Sequence, residues 1–112
     1  MAASEEAPTT PVLALRAPPE PGTIVVAIEG RIAPAEVAGL CERARALLAA
    51  SDATVLVCEV GGLTEPDAVA VEALARLQLT ALRVGRRVRL EDPRGELTEL
   101  LALVGLSEVF SA

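Results

Sequence analysis

Histidine, tyrosine, tryptophan and lysine are all missing from this chain of 112 residues, and Phe110 is its one aromatic residue. Without an imidazole there is no histidine general base and no histidine metal ligand. Without aromatic faces there is no platform on which nucleic-acid bases could stack. The glycine pair Gly61 and Gly62 hints at a phosphate loop, but no GxxxxGK[ST] follows and there is no lysine to reach a phosphate, so nucleotide binding has no support. Two cysteines, Cys41 and Cys58, are too few for a disulfide scaffold. No uninterrupted apolar run approaches the roughly 18 residues that span a bilayer. Ten arginines stand against sixteen acidic residues, for a net charge of −6. That balance argues against a nucleic-acid partner or an anionic membrane surface, both of which call for a basic footprint. The opening MAASEEAP is acidic and has no basic-then-apolar leader, so the expected location is cytoplasmic. These exclusions predict a non-enzymatic chain with no metal and no cofactor, whose partner is a protein or a neutral molecule.

What is present is apolar: 52% of the residues are hydrophobic, enough in 112 residues for one domain with its own core. Residues 1–10 are small, polar and proline-marked, which predicts a flexible tail ahead of a domain over residues 11–112. Val12 to Arg16 alternates as a strand, and the APPEPG that follows is a turn because its prolines fix φ and lack donors. Thr23 to Glu29 is β-branched and ends at Gly30, a second strand antiparallel to the first. Pro34 suits the first position of a helix to about Ala50, with Val37, Leu40, Cys41, Ala44, Leu47 and Leu48 on one stripe and Glu42 and Arg45 pointing away. Thr54 to Val60 is a nearly unbroken apolar run, the pattern of a central strand covered by helices on both faces.

Thr64 and Asp67 are spaced like a capping box for a helix to about Arg83, ended by Gly85. Its inward stripe is Val71, Leu74, Ala75, Ala81 and Leu82, and Glu72 and Arg76 pair on its outer face. Arg87 to Glu91 alternates as a strand with Val88 and Leu90 inward. Asp92 and Pro93 read as the cap and first position of a last helix carrying Leu97, Leu100, Leu101 and Val104, stopped at Gly105. The expected fold is α/β: a single small domain with a mixed four-stranded sheet and helices in the order β-β-α-β-α-β-α, the later strands parallel.

That order, with EVGGLTEPDAVAVEALARL, the closing VGLSEVF and GlyArgIle at 30 to 32, resembles the STAS family, the sulphate-transporter and anti-sigma-factor-antagonist domain, over about Leu13 to Phe110. In the antagonists the corner before the second long helix reads Asp-Ser-Ser/Thr-Gly, and its first serine is phosphorylated by a partner kinase. The matching residues here are Asp67, Ala68, Val69 and Ala70. The resemblance therefore implies a degenerate phosphosite at Ala68, where no hydroxyl can take the nearly two negative charges of a phosphate. It also implies a partner-binding face of Thr64, Glu65, Asp67, Ala68 and Val69. The partner is then an anti-sigma factor or serine-kinase-like protein. Two alternatives are an accessory subunit clasping the ATPase of a lipid ABC transporter, and a STAS module of a larger signalling assembly.

Plainer readings stand beside these. Asp67 also caps a helix, and Thr64, the nearest hydroxyl and an alternative phosphoacceptor, also suits a cap. Val69 falls on the outward side of its helix by angle and forms a small apolar patch with Ala68. Cys41 and Cys58 lie on core positions, where a thiol is an inert small hydrophobe. Arg83, Arg86, Arg87, Arg89 and Arg94 make one basic cluster, ordinarily a solvated face.

Overall fold

The computed structural model describes residues 12–16, 22–106 and 110. The expected tail over residues 1–10, most of the turn before Gly22 and residues 107–109 of the closing motif lie outside them.

The chain runs β1 (Val12–Arg16), β2 (Thr23–Glu29), a 3-10 turn (Pro34–Glu36), α1 (Val37–Ala49), β3 (Val55–Glu59), α2 (Ala68–Arg83), β4 (Arg87–Glu91) and α3 (Gly95–Leu103). It is a small α/β domain. Three strands, β2, β3 and β4, run parallel in register, so that Thr23, Val55 and Arg87 are neighbours at one end and Ala27, Glu59 and Glu91 at the other. β1 lies antiparallel along β2, and the strand order across the sheet is β1-β2-β3-β4. Parallel neighbours need a long connection between them, and α1 and α2 supply it.

The core forms where one face of the parallel strands meets the apolar stripes of the helices. Val26 and Ile28 of β2, Leu56 and Cys58 of β3 and Val88 of β4 are buried with Leu40, Leu48, Leu74, Leu77, Leu97 and Leu101 of the three helices. Each such leucine, fully buried, contributes about 1.5–3 kcal/mol of transfer free energy. Val25, Ala27 and Val57 are also buried but stand outside this cluster. Strand side chains alternate between faces, which places these three on the opposite side of the sheet. The expectation that β3 carries helices on both faces is thus corrected: all three described helices pack on one face. The unbroken apolar run reports burial on two sides and says nothing of what covers the second.

Helix positions follow their periodicity with informative exceptions. Val37, Leu40, Ala44 and Leu48 of α1 are buried, and Cys41 and Leu47 are half-buried at its margin. Pro34 opens the 3-10 turn and not α1 itself; there Ala33 N donates to the Glu36 carboxylate at 3.2 Å and Glu36 N to Ala33 O at 2.9 Å. On α2 the Glu72–Arg76 pair forms at 3.2 Å. Leu82, expected inward, is 56% exposed, and Gln78 occupies a core position instead. Val104 likewise sits beyond the end of α3 and is 54% exposed. In both places an apolar stripe runs on past the surface it packs against. The last helix does not start at Asp92 and Pro93. Asp92 takes a left-handed φ of +63°, its carboxylate is held by Arg94, and α3 begins at Gly95 with Arg94 as its cap.

Candidate functional site

The corner between β3 and α2 is fixed by the backbone before any side chain acts. Gly30, leaving β2, donates from its N to Gly62 O at 3.1 Å, and Thr64 N donates to Gly30 O at 2.9 Å. These bonds tie the loop after β2 to the loop after β3 and extend the parallel pairing as far as Leu63. The glycine pair serves this close approach. A Cβ on Gly62 would stand 2.8 Å from Cγ of Glu29, and one on Gly61 would collide with the Asp92 carboxylate. Steric room accounts for Gly61 and Gly62 with no phosphate involved.

Beyond Leu63 the chain turns through Glu65 at φ +48° and enters α2 at Asp67. Oδ1 of Asp67 accepts hydrogen bonds from Val69 N at 3.0 Å and Ala70 N at 3.2 Å, satisfying two of the amides that a helix start leaves without partners. Asp67 is therefore the cap itself. Thr64 lies outside the helix and is exposed, which overturns the capping-box pairing of these two residues. The other oxygen of Asp67, Oδ2, lies 3.8 Å from Arg31 Nη2, while Arg31 Nη1 donates to Glu65 Oε1 at 3.2 Å. Arg31 thus braces the corner from the loop after β2. Its exposed ion pairs are worth little individually, but the guanidinium joins two loops that already share backbone bonds. Sequence reasoning did not assign Arg31 a role. GlyArgIle drew notice for its glycine and its apolar residue, and no local spacing links Arg31 to a helix more than thirty positions away.

Of the five residues expected on the partner-binding face, Thr64, Glu65 and Ala68 are exposed and Asp67 is half-exposed. Val69 is half-buried and packs against the core, a correction to its outward placement. The angle along α2 was sound, but the loop at Arg31–Pro34 folds over that side, and Val69 shares a cleft with Ile32, Ala33 and Pro34. On the other side of the corner the start of α2 meets α3 across an open groove of about 600 Å³. Ala68, Leu100 and Leu103 form its apolar part, and Asp67, Glu96 and Glu99 its rim. The contribution of α3, Glu96 and Glu99 included, was not assigned from the sequence.

The remaining candidates separate. Cys58 is buried, and desolvation pushes its thiol up to about 12. Cys41 is half-buried, and both are free thiols. The five arginines expected to cluster do not act as a group. Arg86 donates to Leu48 O at 2.7 Å at the end of α1, Arg94 pairs with Asp92, and Arg87 and Arg89 alternate with the core-facing Val88 of β4. The Asp92 carboxyl is held below its usual range by the hydrogen bond from Arg94. Among the described residues no three His, Cys, Asp or Glu side chains are placed to hold a metal, and no helix is long and apolar enough to cross a membrane.

This geometry agrees with what the chain is similar to. The family model described as Mlab, STAS domain, matches residues 15–111. The solved structure of the anti-sigma factor antagonist SpoIIAA in its unphosphorylated form matches 90% of this chain and 86% of its own, with 15% sequence identity and a TM-score of 0.70. An anti-sigma factor antagonist from Mycobacterium paratuberculosis matches 93% of this chain and 86% of its own, with 24% identity and a TM-score of 0.67. At these identities the two likenesses establish the fold. No curated protein matches the chain.

Proposed function

The chain belongs to the STAS domain family, and from that premise we propose that it is a protein-docking module of the anti-sigma-factor-antagonist kind that works without a phosphoserine switch. Antagonists of this family are generally non-enzymatic and act by binding proteins. The observation that carries the reading is the capped corner. Asp67 holds the first turn of α2, Arg31 holds Asp67 and Glu65, and Thr64, Glu65 and Ala68 are left outward on a backbone laced to the sheet. A surface whose geometry is set before encounter loses little conformational entropy on binding.

Position 68 opens α2 and presents a methyl group, which has no oxygen to phosphorylate. Docking at this corner is accordingly permanent, controlled by the amount of protein and partner and not by a kinase. The partner is an anti-sigma factor or serine-kinase-like protein. The same missing hydroxyl also fits a second reading, a constitutive STAS subunit bound to a transporter ATPase or built into a larger signalling assembly.

Titration calorimetry against candidate anti-sigma factors and transporter ATPases tests the proposal. Binding to an anti-sigma factor that is weakened at least about tenfold by Ala68→Arg, a loss of about 1.4 kcal/mol, supports the antagonist reading. Binding only to an ATPase selects the second. Binding indifferent to Ala68→Arg and Glu65→Arg removes this face from either.

A further inference from the structure

Two grooves on the helical side carry opposite charge. The first, between the start of α2 and α3, has a rim of Glu96, Glu99 and Asp67, the last of which faces Arg31, and no cation among the described residues that line it. Leu103, 81% exposed, stands in it. The second runs between α1 and α2 over about 500 Å³. Its rim holds Arg45, Arg76 and Arg83 against the single carboxylate of Glu42, and Leu79, 52% exposed, lies beside the half-buried Cys41 on its apolar part. Arg45 and Arg76 pair with carboxylates on their own helices at 2.9 and 3.2 Å. Such exposed pairs exchange readily for others of similar strength. In a chain of net charge −6, Arg45, Arg76 and Arg83 against Glu42 and Glu72 leave a local positive excess beside the exposed leucine, carried by Arg83.

We propose that the acidic α2–α3 groove of one copy seats on the basic α1–α2 groove of a second copy, so that the chain assembles head to tail. The complementarity is both electrostatic and apolar. Glu96 and Glu99 of one copy meet Arg76 and Arg83 of the next, and Leu103 covers Leu79, so neither leucine remains in water. The two grooves are lined by different residues, which makes a single contact heterologous: one copy bound at each groove leaves a free groove at either end, and assembly continues until a ring closes or the supply ends. Attraction between rim charges governs encounter and register and is screened by salt. The acidic groove includes Asp67 and Ala68, so self-assembly covers the flank of the corner.

Sedimentation velocity of the purified chain tests this, from about 10 µM to about 1 mM, in about 0.05 M and about 0.5 M salt. The expected result is an average mass that rises above the 11.6 kDa monomer with concentration in low salt and falls back in high salt. Arg83 and Glu99 are exposed, and Arg83→Glu and Glu99→Arg, each verified as folded by circular dichroism, should each weaken association by about tenfold. The double variant should recover part of it, since positions 83 and 99 then again carry opposite charges, and an equimolar mixture of the two single variants, which keeps one unaltered pairing of acidic with basic groove, should associate more tightly than either alone. A monomer at every concentration overturns the proposal. Association that ignores Glu99→Arg overturns it too, because a symmetric contact through the α1–α2 groove would behave in that way. Neither outcome depends on whether a partner docks at the corner.

Discussion

Gln78 of α2 and Val88 of β4 are joined by a closed pair of hydrogen bonds. Gln78 Nε2 donates to Val88 O at 3.2 Å, and Val88 N donates to Gln78 Oε1 at 2.9 Å. β4 is the last strand of the sheet, and its outward backbone groups would otherwise form an open edge that invites another strand. The side-chain amide stands in for the missing neighbour. It is also the one buried polar side chain among the described residues, at 6% exposure, and it is fully engaged.

Replacing Gln78 with leucine keeps the volume and strands both Val88 groups. Each buried group left without a partner costs about 1–3 kcal/mol, so Gln78→Leu should lower the urea midpoint strongly although it adds apolar surface to a core. Gln78→Glu separates the two bonds. An ionised carboxylate still accepts from Val88 N but has no proton for Val88 O, whereas the protonated acid has one. Its stability relative to the unsubstituted chain should therefore improve on going from neutral to mildly acidic buffer, and unchanged relative stability across that range would contradict this account of the clasp.

Cys58 and Cys41 should behave as different chemical species in one molecule. Burial raises the Cys58 thiol to about 12, so the thiolate that reacts with iodoacetamide is scarce in the folded state. Peptide mapping after brief alkylation in native buffer should find label at Cys41 and none at Cys58, and both labelled in denaturant. The same shift has a consequence for stability. Folding holds Cys58 in its protonated form, so its contribution is complete below about pH 9 and is lost as pH climbs toward about 12. Wild type should lose stability over that window faster than Cys58→Ala, which has no proton to lose. Parallel pH profiles for the two would mean that Cys58 is not desolvated.

Much of this architecture is legible in the residues, and the misses share a cause. Alternation and helical spacing place the elements over residues 23–105 because each signal is local and the core repeats it. The partners of Arg31 and Gln78 are set by the tertiary fold, thirty-four and ten positions away, and no spacing rule reports them. Asp92 and Pro93 looked like a helix start because that pairing usually is one. Here the left-handed turn at Asp92 delays the helix to Gly95. Leu82 and Val104 continued a periodic stripe beyond the point where another element is there to receive it. The corner itself was legible through Asp67 and Ala68, but its second wall, from α3, was not, since nothing in sequence says which helix ends meet.

The last helix offers a direct comparison of pattern with packing. Leu101 is buried at 4%, Leu100 half-buried and Leu103 exposed, all within one turn. Leu101→Ala should cost about 2–5 kcal/mol as a core truncation, and Leu103→Ala should lie within about 0.5 kcal/mol of neutral. Leu100→Ala should fall between them. Chemical unfolding of the three variants checks the order. Equal losses at 101 and 103 would place α3 differently on the core.

Asp67 holds two positions at once, as helix cap and as an exposed neighbour of Arg31, and substitution can separate them. Asp67→Ala removes the acceptor for Val69 N and Ala70 N and should cost about 1 kcal/mol. Asp67→Asn keeps an oxygen for those amides but gives up the charge that faces Arg31. It should recover most of that stability. If partner docking needs only a well-formed corner, Asn should restore it along with the fold. If the carboxylate is itself a contact, Asn should fold well and still bind weakly. Ala68→Glu completes the test, since position 68 is exposed and a carboxylate in the first turn of a helix is tolerated or slightly favoured. Its unfolding midpoint should stay close to wild type, while affinity for the partner should fall by at least about tenfold, equivalent to about 1.4 kcal/mol. Full affinity in Ala68→Glu would mean that the partner approaches the domain from another side.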